Sequence, residues 1–155
     1  MKFSTREDIE APIDHVFAHV TDHATFERQA LRRGADVQRL DGGTGIGVGS
    51  RWKVGFNFRG RRRDLTATVT TFDPPNSISV GATTTGIDGL TTIDLVQLSR
   101  TRTRLMVAIE MRPTTLAARL MIQSLKLAKS SLDKRLKDRM AKVAREIEIS
   151  HREKV

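Results

Sequence analysis

Four histidines and no cysteine bound the chemistry open to this 155-residue chain. His15, His19 and His23 recur at four-residue intervals, so on a continuous helix the first two would share a face and offer ring nitrogens to one cation. A stable site needs further ligands. There is no HExxH sequence and no thiolate, and Asp22-His23 falls where the helical pattern breaks. The residues therefore predict neither a metal nor any other cofactor. Asp94 and Glu110 lie in strand-forming sequence, where a one-residue slip, or a bulge near Gly89, would turn Asp94 inward as half of an acid/base pair. In the regular pleat both face outward. His23, Glu27 and Asp94 are thus the candidate proton-transfer groups, but pattern alone assigns no catalytic residue. Tyrosine is absent and there is no GxSxG nucleophile sequence.

The glycine run from Gly42 to Gly49 (GGTGIGVG) lacks the GxGxxG order and any GKS or GKT, and it leads into a strand instead of a helix. It reads as a flexible strand connection. Arg59, Arg61, Arg62 and Arg63 crowd one hairpin tip, and the whole chain carries a net charge of +9 with a pI near 10.8. The excess is concentrated from Arg112 onward, where 12 basic residues face five acidic ones. A field of that sign suits an acidic protein, an anionic membrane surface or RNA. The sequence argues against nucleic acid, because most of its few aromatic residues fall in inward phase and no recognised binding motif appears.

The elements that must position these groups follow from periodicity. Residues 2–10 alternate as a first strand, and Pro12 opens a helix whose Ile13, Val16, Phe17 and Val20 make an apolar stripe. Asp22 caps a second short helix, HATFERQALRR, ended by Gly34. From Val48 the period changes to two. Trp52, Val54, Phe56 and Phe58 alternate with polar residues, a turn at Arg59-Gly60-Arg61 reverses the chain, and Leu65, Ala67 and Val69 alternate back until Asp73-Pro74-Pro75. Strands carrying Ile78 and Val80, then Ile93 and Leu95, then Leu105, Val107, Ile109 and Met111 complete an antiparallel sheet of about six to seven strands. Beyond Pro113 one long helix is predicted to about Glu148, with a continuous stripe from Met121 and Leu125 to Ile147 and with Asp133–Lys137 and Asp138–Lys142 pairs on its surface. The fold class is α+β.

A strand, two short helices, a run of antiparallel strands and a long terminal helix is the order of the helix-grip fold. The runs IEAPIDHVFAHVTD (9–22), GVGSRWKV (47–54), TTFDPPNSISV (70–80) and TRLMVAIEMRP (103–113) resemble the START-like (SRPBCC) superfamily, in its polyketide cyclase/dehydrase and lipid-transport branch. The resemblance runs from about residue 2 to 148. It implies a cavity between sheet and terminal helix that takes lipids, polyketides or similar apolar molecules, and in some members catalyses cyclisation or dehydration. No shared catalytic motif exists to carry over.

On that geometry the expected cavity wall is Trp52, Val54, Phe56 and Phe58 on one strand, Leu65, Val69, Val80 and Ile93 on its neighbours, and Met121 and Leu125 on the helix. Arg63 is the expected partner of an anionic head group, and His23 and Glu27 are expected at the mouth. Binding of an apolar or amphipathic small molecule is the leading expectation. A cyclase or dehydratase, and a basic module for an acidic partner, are the alternatives. No run approaches the roughly 18 apolar residues of a membrane span, and the first residues show no apolar leader. One cytoplasmic domain over residues 1–155 is expected, burying roughly 70% of its unfolded surface without disulfides or metals.

Overall fold

The computed structural model describes residues 1–154. Its elements are β1 (Lys2–Ile9), α1 (Ile13–Val20), α2 (His23–Arg32), β2 (Asp36–Arg39), β3 (Arg51–Phe58), β4 (Arg61–Asp73), β5 (Ser77–Thr84), β6 (Ile87–Ser99), β7 (Arg102–Pro113), α3 (Leu116–Lys126) and α4 (Lys129–Lys154). The strands form one curved antiparallel sheet in the order β1-β7-β6-β5-β4-β3-β2. This is the α+β helix-grip arrangement, with seven strands. The seventh is β2, a four-residue strand that pairs Asp36–Arg39 with Gly55–Trp52 and is too short to show a period in the sequence.

The sheet runs hairpin to hairpin because the turns demand it. At the β3–β4 connection Arg59 (φ 51°) and Gly60 (φ 74°) both lie in the left-handed region, which matches the twist of a two-residue hairpin. Register then pairs Trp52 with Ala67 and Val54 with Leu65, so the apolar phase of both strands falls on the same face. On β6 the register is unbroken from Ile87 to Gln97. No bulge occurs near Gly89, so Ile93 and Leu95 face the interior and Asp94 faces away from it.

The main core lies between that inner face and the helices. Ile9, Val16, Phe17, Leu95, Leu105 and Ile147 are buried together, with Met140 and Val143 of α4 packed against them. The four apolar residues of the α1 stripe are all buried. Thr103 is fully buried and donates its hydroxyl to the Ala11 carbonyl at 2.8 Å, which fixes the β1–α1 connection on β7.

The terminal helix is two helices. Thr115 caps α3 by accepting from the Ala118 N–H at 3.1 Å. At the far end, the Ser124 hydroxyl donates to the Met121 carbonyl, and Leu127 and Ala128 donate to carbonyls three residues back instead of four. The tightening of the last turn to three-residue bonds ends α3 with no Gly or Pro involved. The expected single stripe is therefore split, with Ile122 buried in α3 and Ala144 and Ile147 in α4, while Ala128 is exposed at the joint. Asp133 pairs with Lys129, one turn before it, at 2.9 Å, and not with Lys137.

Candidate functional site

A cavity of about 320 Å³ opens between the inner face of β3–β6 and helix α2. Its floor is Trp52, Val54, Ala67, Val69, Ile78, Val80 and Ile93, all inward-phase residues of β3 to β6. Its roof is Val20, Thr21, His23, Phe26, Glu27 and Ala30 from the end of α1 and from α2, with Val37 and Ile46 closing one side. Among these lining residues only His23 and Glu27 titrate, and they are one helical turn apart on α2.

Both are held. Glu27 Oε1 accepts from the Trp52 indole Nε1–H at 2.7 Å, so the carboxylate is tied to the strand that forms the opposite wall. His23 Nε2 lies 3.0 Å from the Thr44 carbonyl. A carbonyl only accepts, so in this bond Nε2 carries a proton, and in the neutral ring the lone pair is then on Nδ1. The His23 and Trp52 ring centroids are 6.0 Å apart. Asp22 positions this turn by accepting from the Thr25 hydroxyl (2.7 Å) and N–H (3.2 Å), bonds that hold its carboxyl below the usual carboxylate range.

Thr44 belongs to the glycine run, which crosses the side of the cavity and contributes Ile46 to its wall. Arg39 anchors the loop. Its guanidinium pairs with Asp41, donates to the Gly45 carbonyl at 2.6 Å and to Ser50 Oγ at 3.1 Å, and lies 4.6 Å over the Trp52 ring. The Arg39 hydrogen bond drives the Asp41 carboxyl far below its ordinary pKa, against the desolvation that would raise it. In return the Asp41 hydrogen bond raises Arg39. The run is thus a tethered wall that leads into β3 and not into a helix.

The structure gathers some of the predicted site residues and separates others. Trp52, Val54, Val69, Val80 and Ile93 share the cavity, with His23 and Glu27 over them. Phe56, Phe58 and Leu65 have the same inward phase but lie farther along β3 and β4 toward the hairpin, half-buried and outside the cavity wall. Met121 and Leu125 are half-buried on α3, near that same hairpin, where Arg59 approaches Ser124 at 3.5 Å. Arg63 does not reach the cavity. It pairs across from Phe56, packs 5.5 Å from the Phe58 ring and donates to the Phe58 carbonyl at 3.4 Å. Asp94 occupies a shallow depression on the outer face with Ser4, Arg6 and Met106. It pairs with Met106, four residues from Glu110 along β7, so the two carboxylates stand about 13 Å apart and cannot share a proton.

From the sequence, His23 and Glu27 of α2 are expected at the site but Val20, Thr21, Phe26, Ala30, Val37 and Ile46 are not. Phe26 and Ala30 share a face with His23 and Glu27 at i, i+3, i+4 and i+7 spacing, which was the available signal. The same two residues border a second groove of about 410 Å³ between α2 and α4, whose rim carries Arg33, Arg139 and Lys142 against the single carboxylate of Glu146. Among the described residues, no group of three or more His, Cys, Asp or Glu is placed to hold a metal ion. No described helix is long and apolar enough to cross a membrane.

A family model described as polyketide cyclase/dehydrase and lipid transport matches residues 1–148. The chain belongs to that family. No curated protein matches it by sequence. Among solved structures, a Thalictrum flavum norcoclaurine synthase point mutant in complex with a transition-state analogue superposes with a TM-score of 0.67 at 13% identity, covering 98% of this chain and 96% of that one. A protein from Thermus thermophilus gives 0.67 at 11% identity over 97% and 99%. The ZhuI aromatase/cyclase from a Streptomyces species gives 0.60 at 14% identity over 86% and 89%. At these identities the likeness establishes the helix-grip fold alone, and the family member described here has its own wall residues.

Proposed function

We propose that this protein binds a compact, largely apolar small molecule in the cavity between β3–β6 and α2. The supporting observation is the wall itself: a 320 Å³ space faced by aliphatic side chains and one indole, with its polar groups confined to the α2 side. Ligand pockets commonly span about 300–1,000 Å³, so this volume suits a ring system or short chain and not a two-tailed lipid. Apolar burial supplies the affinity, and Glu27, His23 and Thr21 set the orientation.

The head-group role expected of Arg63 moves to another place in the fold. A polar end leaving the cavity past Phe26 meets Arg33, Arg139 and Lys142 in the adjoining groove, so an anionic amphiphile is the favoured ligand class. Thermal unfolding with matched pairs, a medium-chain carboxylic acid and the alcohol of the same chain, tests both levels. The acid is expected to raise Tm more than the alcohol. Equal shifts would remove the head-group assignment, and no shift across acids, alcohols and aromatic polyketides would remove the binding function.

A cyclase or dehydratase is the second reading, favoured by one observation: the two titratable lining residues, His23 and Glu27, face the same space. The family's description and the aromatase/cyclase among the similar structures point to the same chemistry. Loss of turnover in both His23→Ala and Glu27→Ala, with ligand-induced Tm shifts retained, is its expected signature.

A further inference from the structure

Three leucines on α3 lie on the outside of the molecule. Leu116, Leu120 and Leu127 are 71%, 59% and 92% exposed, although the opposite face of the same helix buries Ala118 and Ile122. At 100° per residue the three fall within about 40° of one another, so they form one ridge along the helix and its C-cap. Large apolar side chains aligned this way on a free surface mark a binding face.

The unpaired charge on the helix surface beside the ridge is positive. Between Glu110 and Asp133 the sequence has no acidic residue; Arg112 and Lys129, at the ends of that stretch, pair with Glu110 and Asp133, whereas Arg119 and Lys126 form no ion pair among the described residues. Arg119 and Lys126 flank the ridge on the helix surface, and Arg59 of the β3–β4 hairpin reaches Ser124 from the neighbouring element. Arg59 and Arg61 form no ion pair among the described residues. We infer that α3 is an interfacial helix that docks this protein on an anionic membrane surface, Leu116, Leu120 and Leu127 entering the acyl boundary and the flanking cations meeting lipid head groups.

The chemistry selects this occupant over the others. A second copy meeting the ridge across a two-fold axis would bring Arg119 and Lys126 against their own images with no carboxylate in the stretch to compensate. RNA would find no aromatic platform there, since the ridge is leucine. An anionic bilayer offers both what the leucines need and what the cations need, and one such helix gives reversible attachment.

Flotation with vesicles tests the inference. Vesicles of about three parts phosphatidylcholine to one part phosphatidylglycerol should carry the protein up the gradient, pure phosphatidylcholine should not, and raising salt should release much of it. Leu120→Glu with Leu127→Glu should weaken binding by about tenfold or more, and Arg119→Glu with Lys126→Glu should do likewise. All four positions are exposed, so an unchanged Tm is expected and verifies that the fold is intact. Ala67→Phe, which blocks the cavity, should leave vesicle binding unaltered, so failure of this inference and failure of the cavity reading are separable. Equal binding to both vesicle types, no binding to either, binding unaffected by the double substitutions, or a dimer that the leucine substitutions dissociate would each overturn it.

Discussion

The indole N–H of Trp52, on the floor of the cavity, donates to Glu27 Oε1 on its roof at 2.7 Å, joining β3 to α2 across the space that a ligand would occupy. Trp52 is 8% exposed, so its donor has little access to water. Removing the acceptor should therefore cost more than removing its charge. Glu27→Ala is expected to destabilise by about 1–3 kcal/mol, whereas Glu27→Gln keeps an accepting oxygen and should lose less than half of that. Urea unfolding provides the measurement. Trp52 is the only tryptophan, so its emission reports the same site directly.

Filling the cavity tests whether the space itself is used. Ala67 lies on the floor opposite Trp52 in register, and its methyl faces the void. Ala67→Phe should place a phenyl ring in the middle of the cavity floor at a stability change within about 1 kcal/mol, because the added ring enters empty volume and not packed core. Ligand-induced Tm shifts should disappear in this variant. A variant that retained them would place binding elsewhere.

Alternation on β3 and β4 placed Trp52 and Val69 inward because period two is a property of the backbone, and no tertiary contact is needed to read it. The same alternation also placed Phe56, Phe58 and Leu65 inward, but it carries no information on where along a strand the cavity ends. That depends on where α2 and α3 cross the sheet. The break between α3 and α4 has no sequence signal either: Leu127 and Ala128 are good helix formers, and only their N–H groups, bonded to carbonyls three residues back, mark the joint. Arg63 shares the inward phase of Leu65 yet serves Phe58, since a long cationic side chain on an apolar face leans along the sheet to reach a carbonyl and a ring.

A pH response is built into the contact of α1 with α4. The His15 and His151 rings lie 5.2 Å apart, and His15 Nε2 is buried with no partner among the described residues. Desolvation chiefly, then the positive charges of Lys154 and His151, lower the His15 pKa, while its bond with the Ile147 backbone acts in the opposite sense. His19 also faces it from α1. A histidine whose pKa is lower folded than unfolded binds fewer protons in the native state, so its contribution is present above about pH 6.5 and is lost as pH falls below that. The expected outcome is a lower Tm at pH 5.5 than at pH 7.5, a window above the titration of most carboxylates. His15→Phe keeps a ring against His151 and should flatten the dependence. An equal slope in the variant would assign it to other groups.

Gly86 is the point at which α3 is fixed to the sheet. It occupies the β5–β6 turn with φ of +80°, a conformation costly for any residue with a Cβ, and its carbonyl accepts from the Thr114 N–H at 2.7 Å. A Cβ there would lie 2.8 Å from Thr115 Oγ1 and 3.0 Å from the Ala118 Cβ, against the N-cap and first turn of α3. Gly86→Ala therefore combines backbone strain with a steric conflict that only a shift of the start of α3 relieves, and a loss of about 1–3 kcal/mol is expected. The helix, not the sheet, is the element free to give way, because β5 and β6 pair over eight residues up to the turn. Hydrogen exchange should accordingly rise in residues 116–126 while β5 and β6 amides stay protected. Uniform loss of protection across the sheet would show that the turn is integral to the hairpin and that α3 merely follows it.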